Sequence, residues 1–338
     1  MIKLTHVQAK QLCNQVLVKA GYSDIHAQAI EEVLMQAQLD DCHSHGLYRL
    51  LNCVTSLKKG KVSADLLPIV HDISASVLKV DAQNAMAPLA IQTAIPQLVE
   101  KANAQGIALL ALNNCVHTTA LWYEVELLVN AGLVGLVCTS NHAWVVPEGG
   151  CIPLFGTNPM AFGWPRPHGE NPFIFDFSTT AMARGDIELH RKNGQTLPDG
   201  CGVDAQGQPT NDPEVILDAG AMKTFGAHKG SALAAMIELL AGPLIGDVLS
   251  IESQKIDAGA GGSPLGGEFI LAISPEKLLG SQSQYYLNSA EQLFKGYEEQ
   301  QIRMPSARRY KARAENLASG SININEIVYQ DLLEYLRT

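Results

Sequence analysis

Apolar residues recur at helical spacing through the first sixty residues and predict three helices. Leu4, Val7, Leu12, Val16 and Leu17 fall on one face of the first, with Gly21 at its end. Ser23 stands at the cap of the second, which carries Ile25, Ile30, Val33, Leu34 and Ala37. The third is predicted to begin near Ser44 and to carry Leu47, Leu50, Leu51, Val54 and Leu57 as far as Gly60. From about residue 68 the pattern changes to short apolar runs: Ser76 to Val80, Ile107 to Leu112, Leu133 to Cys138, Phe173 to Phe177 and Phe269 to Ile273. These read as strands separated by helical stretches, among them a small-residue helix from Ser231 to Ala241. The chain is therefore expected to be α/β. Residues 284–338 return to helices rich in Gln, Glu, Arg and Tyr that could pack beside the first three, so the expected division is a discontinuous helical lobe of 1–65 plus 284–338 around an α/β core of 66–283.

Composition narrows the classes. A chain of 338 residues, 46% of them hydrophobic, can bury a large core. With 17% charged residues and a formal net charge of −10 it offers no broad basic face for nucleic-acid phosphates, so nucleic acid is excluded as a partner. No apolar run reaches the roughly 20 residues needed to cross a bilayer, and the first residues enter an amphipathic pattern directly; the expectation is a cytoplasmic protein with no membrane partner. Seven cysteines, Cys13, Cys42, Cys53, Cys115, Cys138, Cys151 and Cys201, are spread singly without a CxxC pair, which suits a reducing compartment and a role for most of them as small buried hydrophobes. Neither a GxGxxG turn nor a GxxxxGK[ST] loop is present, so any nucleotide is held differently. The stretch Gly259 to Pro264 precedes no helical pattern and reads as a loop.

The segment Ser44-His45-Gly46-Leu47-Tyr48-Arg49 carries the chemistry. If Ser44 caps the third helix, His45 and Arg49 lie four apart on one side of its first turns. Arginine binds a carboxylate as a fork, the helix start adds positive potential, and histidine donates a proton near neutral pH. That same potential depresses the histidine pKa, so a carboxylate or hydroxyl partner is required. By spacing alone the bland reading, a cap, a surface histidine and a snorkelling arginine, is the favoured one. A metal site at Cys42, His43 and His45 has the wrong spacing and lacks a second ligand pair, so no metal is assigned. A Ser-His-Asp hydrolase can be written, but adjacent Ser and His do not make a nucleophile and its base. Three further stretches favour a ligand site. Phe155-Gly156-Thr157-Asn158-Pro159 marks a tight turn presenting Thr157. Phe175 to Thr180, followed by Ala183-Arg184-Gly185-Asp186, ends an apolar strand in polar groups. Phe225 to Ser231 places His228 and Lys229 between glycines before a helix, where backbone and lysine could hold a phosphate.

Taken together, SHGLYR, FGTNP, FDFSTT with ARGD, and FGAHKG occur in an order that resembles the malate/L-lactate dehydrogenase-type oxidoreductases across nearly the whole chain. Within that family the chain is most similar to the Δ1-piperideine-2-carboxylate/Δ1-pyrroline-2-carboxylate reductases, from its CHSHG opening, HTTALW, and RGD where other branches carry Arg-Gly-Lys. The resemblance implies a non-Rossmann α/β fold with a mixed central sheet flanked by helices, a homodimer, and NADPH-dependent reduction of a small cyclic imino-carboxylate to L-proline or L-pipecolate. NADH is the less favoured cofactor. It further implies Ser44 and Asp186 as charge relay, His45 as proton donor, Arg49 on the substrate carboxylate, and Thr157, Arg184 and Gly185 against the substrate. Cofactor contacts would come from His117, Thr118, Thr119, Ala120, Leu121 and Trp122, from Asp176, Phe177 and Ser178, from His228 and Lys229, and from Arg303, Met304, Pro305, Ser306, Ala307, Arg308 and Arg309. The three cations of that last segment suit a 2′-phosphate. The chain departs from the family pattern at Thr118 and Thr119, where relatives tend to show His-Phe-Ala-Ala, and at Arg184, where they tend to show histidine. A carboxylate at Asp186 stabilises a protonated histidine or iminium, which a lysine would repel, and this favours an imine over a ketone. The alternatives carried forward are a 2-oxoacid or 2-hydroxyacid dehydrogenase of the malate, lactate or ureidoglycolate type, and a nucleotide-sensing binding protein without catalysis.

Overall fold

The computed structural model describes residues 1–117, 119–259, 261 and 263–338. The chain forms two compact units, one of 1–137, 161–175 and 270–338 and the other of 138–160 and 176–269. Along the chain come β1 (Ile2–Thr5), α1 (His6–Ala20), α2 (Asp24–Leu39), 3-10 turns at His43–His45 and Leu47–Arg49, and α3 (Leu50–Lys58). Then follow β2 (Ile69–Ser74), β3 (Val77–Asp81), α4 (Ala87–Gln105), β4 (Ile107–Val116), α5 (Trp122–Asn130), β5 (Val134–Thr139), β6 (Met160–Trp164) and β7 (Phe173–Phe177). The middle of the chain adds α6 (Arg184–Lys192), β8 (Gly202–Val203), β9 (Pro209–Thr210), α7 (Pro213–Asp218), β10 (Ala221–Met222), α8 (His228–Ala241), α9 (Ser250–Asp257) and β11 (Leu265–Ile273). It closes with α10 (Pro275–Leu279), α11 (Ser283–Glu299), α12 (Ala307–Ser319), β12 (Ser321–Ile324) and α13 (Glu326–Arg337). The terminal helices share the first unit with most of the sheet residues.

The expected strands all form, and Phe173–Phe177 has the expected bounds. Among the strands not expected are two short ones at the chain ends. Thr5 caps α1 in a reciprocal box with Gln8, so the helix starts at His6 and leaves Leu4 in β1; Val7 then points outward at 64% exposure. β1 pairs antiparallel with β12, Leu4 opposite Ile322, which ties the two chain ends together. Strands of four residues are too short to show a period of two. Ser23 does occupy the N-cap of α2, but its hydroxyl makes no capping bond. The third helix begins at Leu50 rather than near Ser44, because the two 3-10 turns take up residues 43–49.

The larger sheet has the order β2-β3-β4-β11-β5-β6-β7. β2 runs antiparallel to β3 and β3 parallel to β4, so the sheet is mixed. In the first unit, Leu78 and Val80 of β3, Leu110 and Leu112 of β4, and Ile91 and Leu98 of α4 are fully buried in one core that also takes Val33 and Ala37 of α2 and Val125 and Leu128 of α5. The second unit has its own smaller core of Val145, Ile187, Leu197, Cys201, Ile216 and Met222. No described helix is long and apolar enough to cross a membrane. Of the seven cysteines, Cys13, Cys53, Cys115, Cys138 and Cys201 are buried and Cys151 is exposed.

A buried ionic cluster joins α2, α5 and α12 inside the first unit. Arg309 donates to Asp40 at 2.7 Å and to Glu126 at 3.1 Å. Arg313, one turn further along α12, holds Asp40 through two bonds of 2.6 and 2.8 Å and also reaches Glu126. The Arg309 guanidinium lies 4.0 Å from the centre of the Trp122 ring. Burial alone would lower the pKa of both arginines, but the two carboxylates outweigh it and raise both. Two cations balanced by two anions are tolerated at this depth only while all four are present. Asp40→Asn should therefore cost about 3–5 kcal/mol, the usual penalty for breaking a buried pair, read as a lowered denaturant midpoint. A change below about 1 kcal/mol, the scale of an exposed pair, would show the cluster to be solvated.

Candidate active site

The turn between α2 and α3 brings Ser44, His45 and Arg49 together, by a route other than one helix face. The His45 Nδ1 lies 3.0 Å from Ser44 Oγ, and the Arg49 Nε donates to the Ser44 carbonyl at 2.8 Å. Arg49 thus folds back over the first 3-10 turn and holds its charge beside the imidazole. The His45 ring is partly open to solvent by area, yet desolvation first, and the Arg49 charge second, push its pKa down to about 3. The depression expected from a helix start is present, but its causes are burial and a neighbouring cation. A ring so shifted is neutral near pH 7.

Within the second unit, Thr157 is fastened by Asn141, which accepts from its N–H at 2.9 Å and donates to its Oγ1 at 2.7 Å. The hydroxyl keeps its own hydrogen to give. The turn around it is built on Glu238, a buried carboxylate that accepts from Gly156 N–H at 3.2 Å, Asn158 Nδ2 at 2.8 Å, Ser250 N–H at 3.0 Å and the Ser250 hydroxyl. Gly156 is obligatory, since a Cβ there would meet Asn141 Oδ1 at 2.3 Å. Glu238 and Asn141 were missed by sequence reasoning. A signal existed: Glu238 is the one charged residue in the apolar stretch Ser231–Ala241, where a carboxylate is stable only if bonded. Arg184, Gly185 and Asp186 form the first turn of α6. Arg184 stacks 4.3 Å over Trp144 and pairs loosely with Glu188 at 3.5 Å; desolvation lowers its pKa. Gly185 and Asp186 are exposed.

The expected cofactor residues fall into four separate strips. Thr118 lies outside the described residues. His117 is buried against Cys115, with 3.1 Å from Nε2 to Sγ, and desolvation pushes its pKa down to about 4. Thr119 and Ala120 are partly exposed, whereas Leu121 and Trp122 are buried, Trp122 beneath Arg309. Asp176 and Ser178 are half-buried; Phe177 is 41% exposed, edge-on to Phe225 at 5.9 Å. His228 and Lys229 open α8 and are both exposed, with Ala227 before them at φ +53°. Gly230 lets this helix start close to its neighbour, for a Cβ would come within 2.0 Å of the Phe225 carbonyl oxygen. In the last strip Arg303 and Arg308 are exposed, whereas Arg309 is committed to Asp40 and Glu126. Met304, Pro305 and Ala307 line a cleft of about 330 Å3 with Arg166, Tyr310 and Lys311. Ser306 donates to the Ile174 carbonyl at 2.7 Å and accepts from Arg309 at 3.0 Å.

A family model described as malate/L-lactate dehydrogenase matches residues 4–333. The chain belongs to the malate/L-lactate dehydrogenase family. It is 51% identical, over 99% of its length and 100% of the relative's, to a Δ1-pyrroline-2-carboxylate/Δ1-piperideine-2-carboxylate reductase of Pseudomonas aeruginosa. It is 49% identical to Δ1-pyrroline-2-carboxylate reductase 1 of Burkholderia ambifaria, over 99% of this chain and 97% of that one. The crystal structure of Δ1-piperideine-2-carboxylate reductase from Pseudomonas syringae pv. tomato superimposes with a TM-score of 0.93 at 38% identity, covering 99% of this chain and 100% of that chain.

Malate/L-lactate dehydrogenase family membership implies a nicotinamide cofactor, and the donor set fits one. The 14-residue helix α8 begins at His228 without a side-chain cap and carries Lys229, exposed, in its first turn; the positive end of a helix beside a lysine suits a phosphate. Arg303 and Arg308 add exposed cations.

Two histidines with depressed pKa values give the stability of this family member a defined pH dependence. An unfolded histidine titrates near 6.5, whereas folded His117 and His45 titrate at about 4 and about 3. Between those values the unfolded chain binds more protons, so the stabilisation is complete above about pH 6.5 and is lost progressively as pH falls toward 4 and 3. Urea midpoints should drop between pH 7 and pH 5, and the drop should flatten in the His45→Gln, His117→Gln double variant. An equal drop in that variant would assign the dependence to other groups.

Proposed function

We propose that this chain reduces Δ1-pyrroline-2-carboxylate and Δ1-piperideine-2-carboxylate to L-proline and L-pipecolate, with NADPH favoured over NADH. The observation that carries the reading is the single turn in which an imidazole, a hydroxyl on its Nδ1 and a guanidinium are held together. A cyclic imine with an adjacent carboxylate needs an anion clamp and a proton source a few ångströms apart, and both are present here.

Arg49 binds the substrate carboxylate as a fork and so fixes the ring for reduction. The bound carboxylate offsets the Arg49 charge, which is the second cause of the low His45 pKa, and makes the ring easier to protonate. His45 delivers the proton to the imine nitrogen from Nε2, while the Ser44 hydroxyl stands at Nδ1 to supply one in return. Asp186, as the second relay member, and Thr157, Arg184 and Gly185, as substrate contacts, rest on the family resemblance. The nicotinamide, when bound, supplies a hydride to the C=N carbon. Lys229, His228 and the start of α8 would hold its phosphates, and Arg303 and Arg308 its 2′-phosphate; Thr119 and Asp176 to Ser178 belong to the same reading. A homodimer in the cytoplasm completes it.

NADPH consumption with the two imines, pyruvate and oxaloacetate side by side should be fast for the imines alone. Rapid turnover of an oxoacid instead would make the chain a 2-oxoacid dehydrogenase, and cofactor binding without any turnover would make it a binding protein. Arg49→Ala should raise KM for the imine tenfold or more, on the order of a lost charged hydrogen-bond pair, and Asp186→Asn should lower kcat with cofactor KM little changed. If KM is unmoved in Arg49→Ala, the clamp assignment fails.

Arg303→Ala with Arg308→Ala should raise KM for NADPH about tenfold or more while leaving that for NADH nearly constant, as expected when two charged contacts to one phosphate are removed. Equal effects on both cofactors would place the 2′-phosphate elsewhere.

A further inference from the structure

The turn that carries Ser44, His45 and Arg49 has no regular helix or strand to define it, and its first-turn residues are polar. What defines it lies in α2. Gln38 is 2% exposed and spends its amide on three partners, with both Nε2 hydrogens used. Its Oε1 accepts from the Leu47 N–H at 3.0 Å, and its Nε2 donates to His43 Nδ1 at 2.8 Å and to the Asn323 carbonyl in β12. The amide orientation follows from its neighbours, because the Leu47 N–H requires an acceptor and the Asn323 carbonyl requires a donor. His43 must then present the lone pair of Nδ1, which commits one of the two histidines in the turn to a structural bond and leaves the other, His45, to Ser44. Gly46 is shaped to the same side chain: a Cβ there would meet Gln38 Oε1 at 2.3 Å. The two 3-10 turns meet at Gly46, so Gln38 fills the joint between them.

We propose that Gln38 is the positioning residue of the proton-donor turn, locking the joint at Gly46 so that His45 and Arg49 face one substrate. It touches neither substrate nor cofactor; it acts through the backbone of Leu47 and the ring of His43. This inference rests on the reading of His45 and Arg49 given above. The link to Asn323 also anchors the turn to the pair of strands that joins the chain ends.

The test is Gln38→Met, which keeps the volume and removes all three bonds, beside Gln38→Glu, which keeps an acceptor for the Leu47 N–H. Two readouts are taken on the full-length protein: hydrogen exchange of peptides covering 43–49, and imine reduction separated into kcat and the KM for NADPH. Gln38→Met should speed exchange over 43–49 at least tenfold while peptides from β3, β4 and α4 stay protected, and should lower kcat tenfold or more with the NADPH KM within twofold. Gln38→Glu should recover part of both. Unchanged exchange over 43–49, an unchanged kcat, or exchange that rises uniformly across the chain would each overturn the positioning role, the last by making Gln38 a general stability residue. If the wild-type protein reduces no imine, the functional reading falls, and the exchange measurement still decides whether Gln38 holds the turn.

Discussion

The balance of two arginines, Arg309 buried and Arg313 half-buried, against two buried carboxylates constrains the first unit more than any other contact. Asp40 ends α2, Glu126 lies within α5, and Arg309 and Arg313 stand one turn apart on α12. None of these helices can shift without leaving a charge unpaired in a low-dielectric interior, at a cost of several kcal/mol. Each helix also borders a segment of the candidate site. α2 leads into the Ser44 to Arg49 turn, α5 begins at Trp122, the last residue of the His117 strip, and α12 begins at Ala307, within the Arg303 strip. The cluster therefore holds three candidate segments with respect to one another, and it packs Arg309 over Trp122.

The chemistry of the turn depends on charge rather than on shape alone. A histidine near neutral pH is ordinarily an ambiguous acid, but here burial first and the Arg49 charge second hold the ring neutral. An anion seated on Arg49 would offset the second of these causes and leave the first in place.

The second unit solves a different problem with the same means. A threonine in a turn is a poor ligand group unless its backbone is rigid, and the turn at Thr157 is rigid because Glu238 accepts four hydrogen bonds from Gly156, Asn158 and Ser250. A carboxylate so bonded orients the loop without being available to substrate. The backbone at Asn158, at φ +39°, is held in place by its own side chain through Glu238 and the Ala234 carbonyl.

The α/β class, the main strands and the family are legible in the sequence alone, since each is written in local periodicity or in contiguous motifs. Leu78, Val80, Leu110 and Leu112 alternate or run together because they line one core, and that pattern survives without coordinates. How Ser44, His45 and Arg49 meet is not legible in the sequence and follows from the folded turn. Two 3-10 turns have no sequence period of their own, and their joint is set by Gln38, which lies several residues back on another helix. The tertiary structure also decided which cations are spoken for: Arg303, Arg308 and Arg309 look alike in the sequence, and burial beside Asp40 and Glu126, which are 269 and 183 residues away, separates the last from the others. Long-range pairing of polar groups leaves no local signature, because each partner is satisfied by a residue that is close in space and remote along the chain.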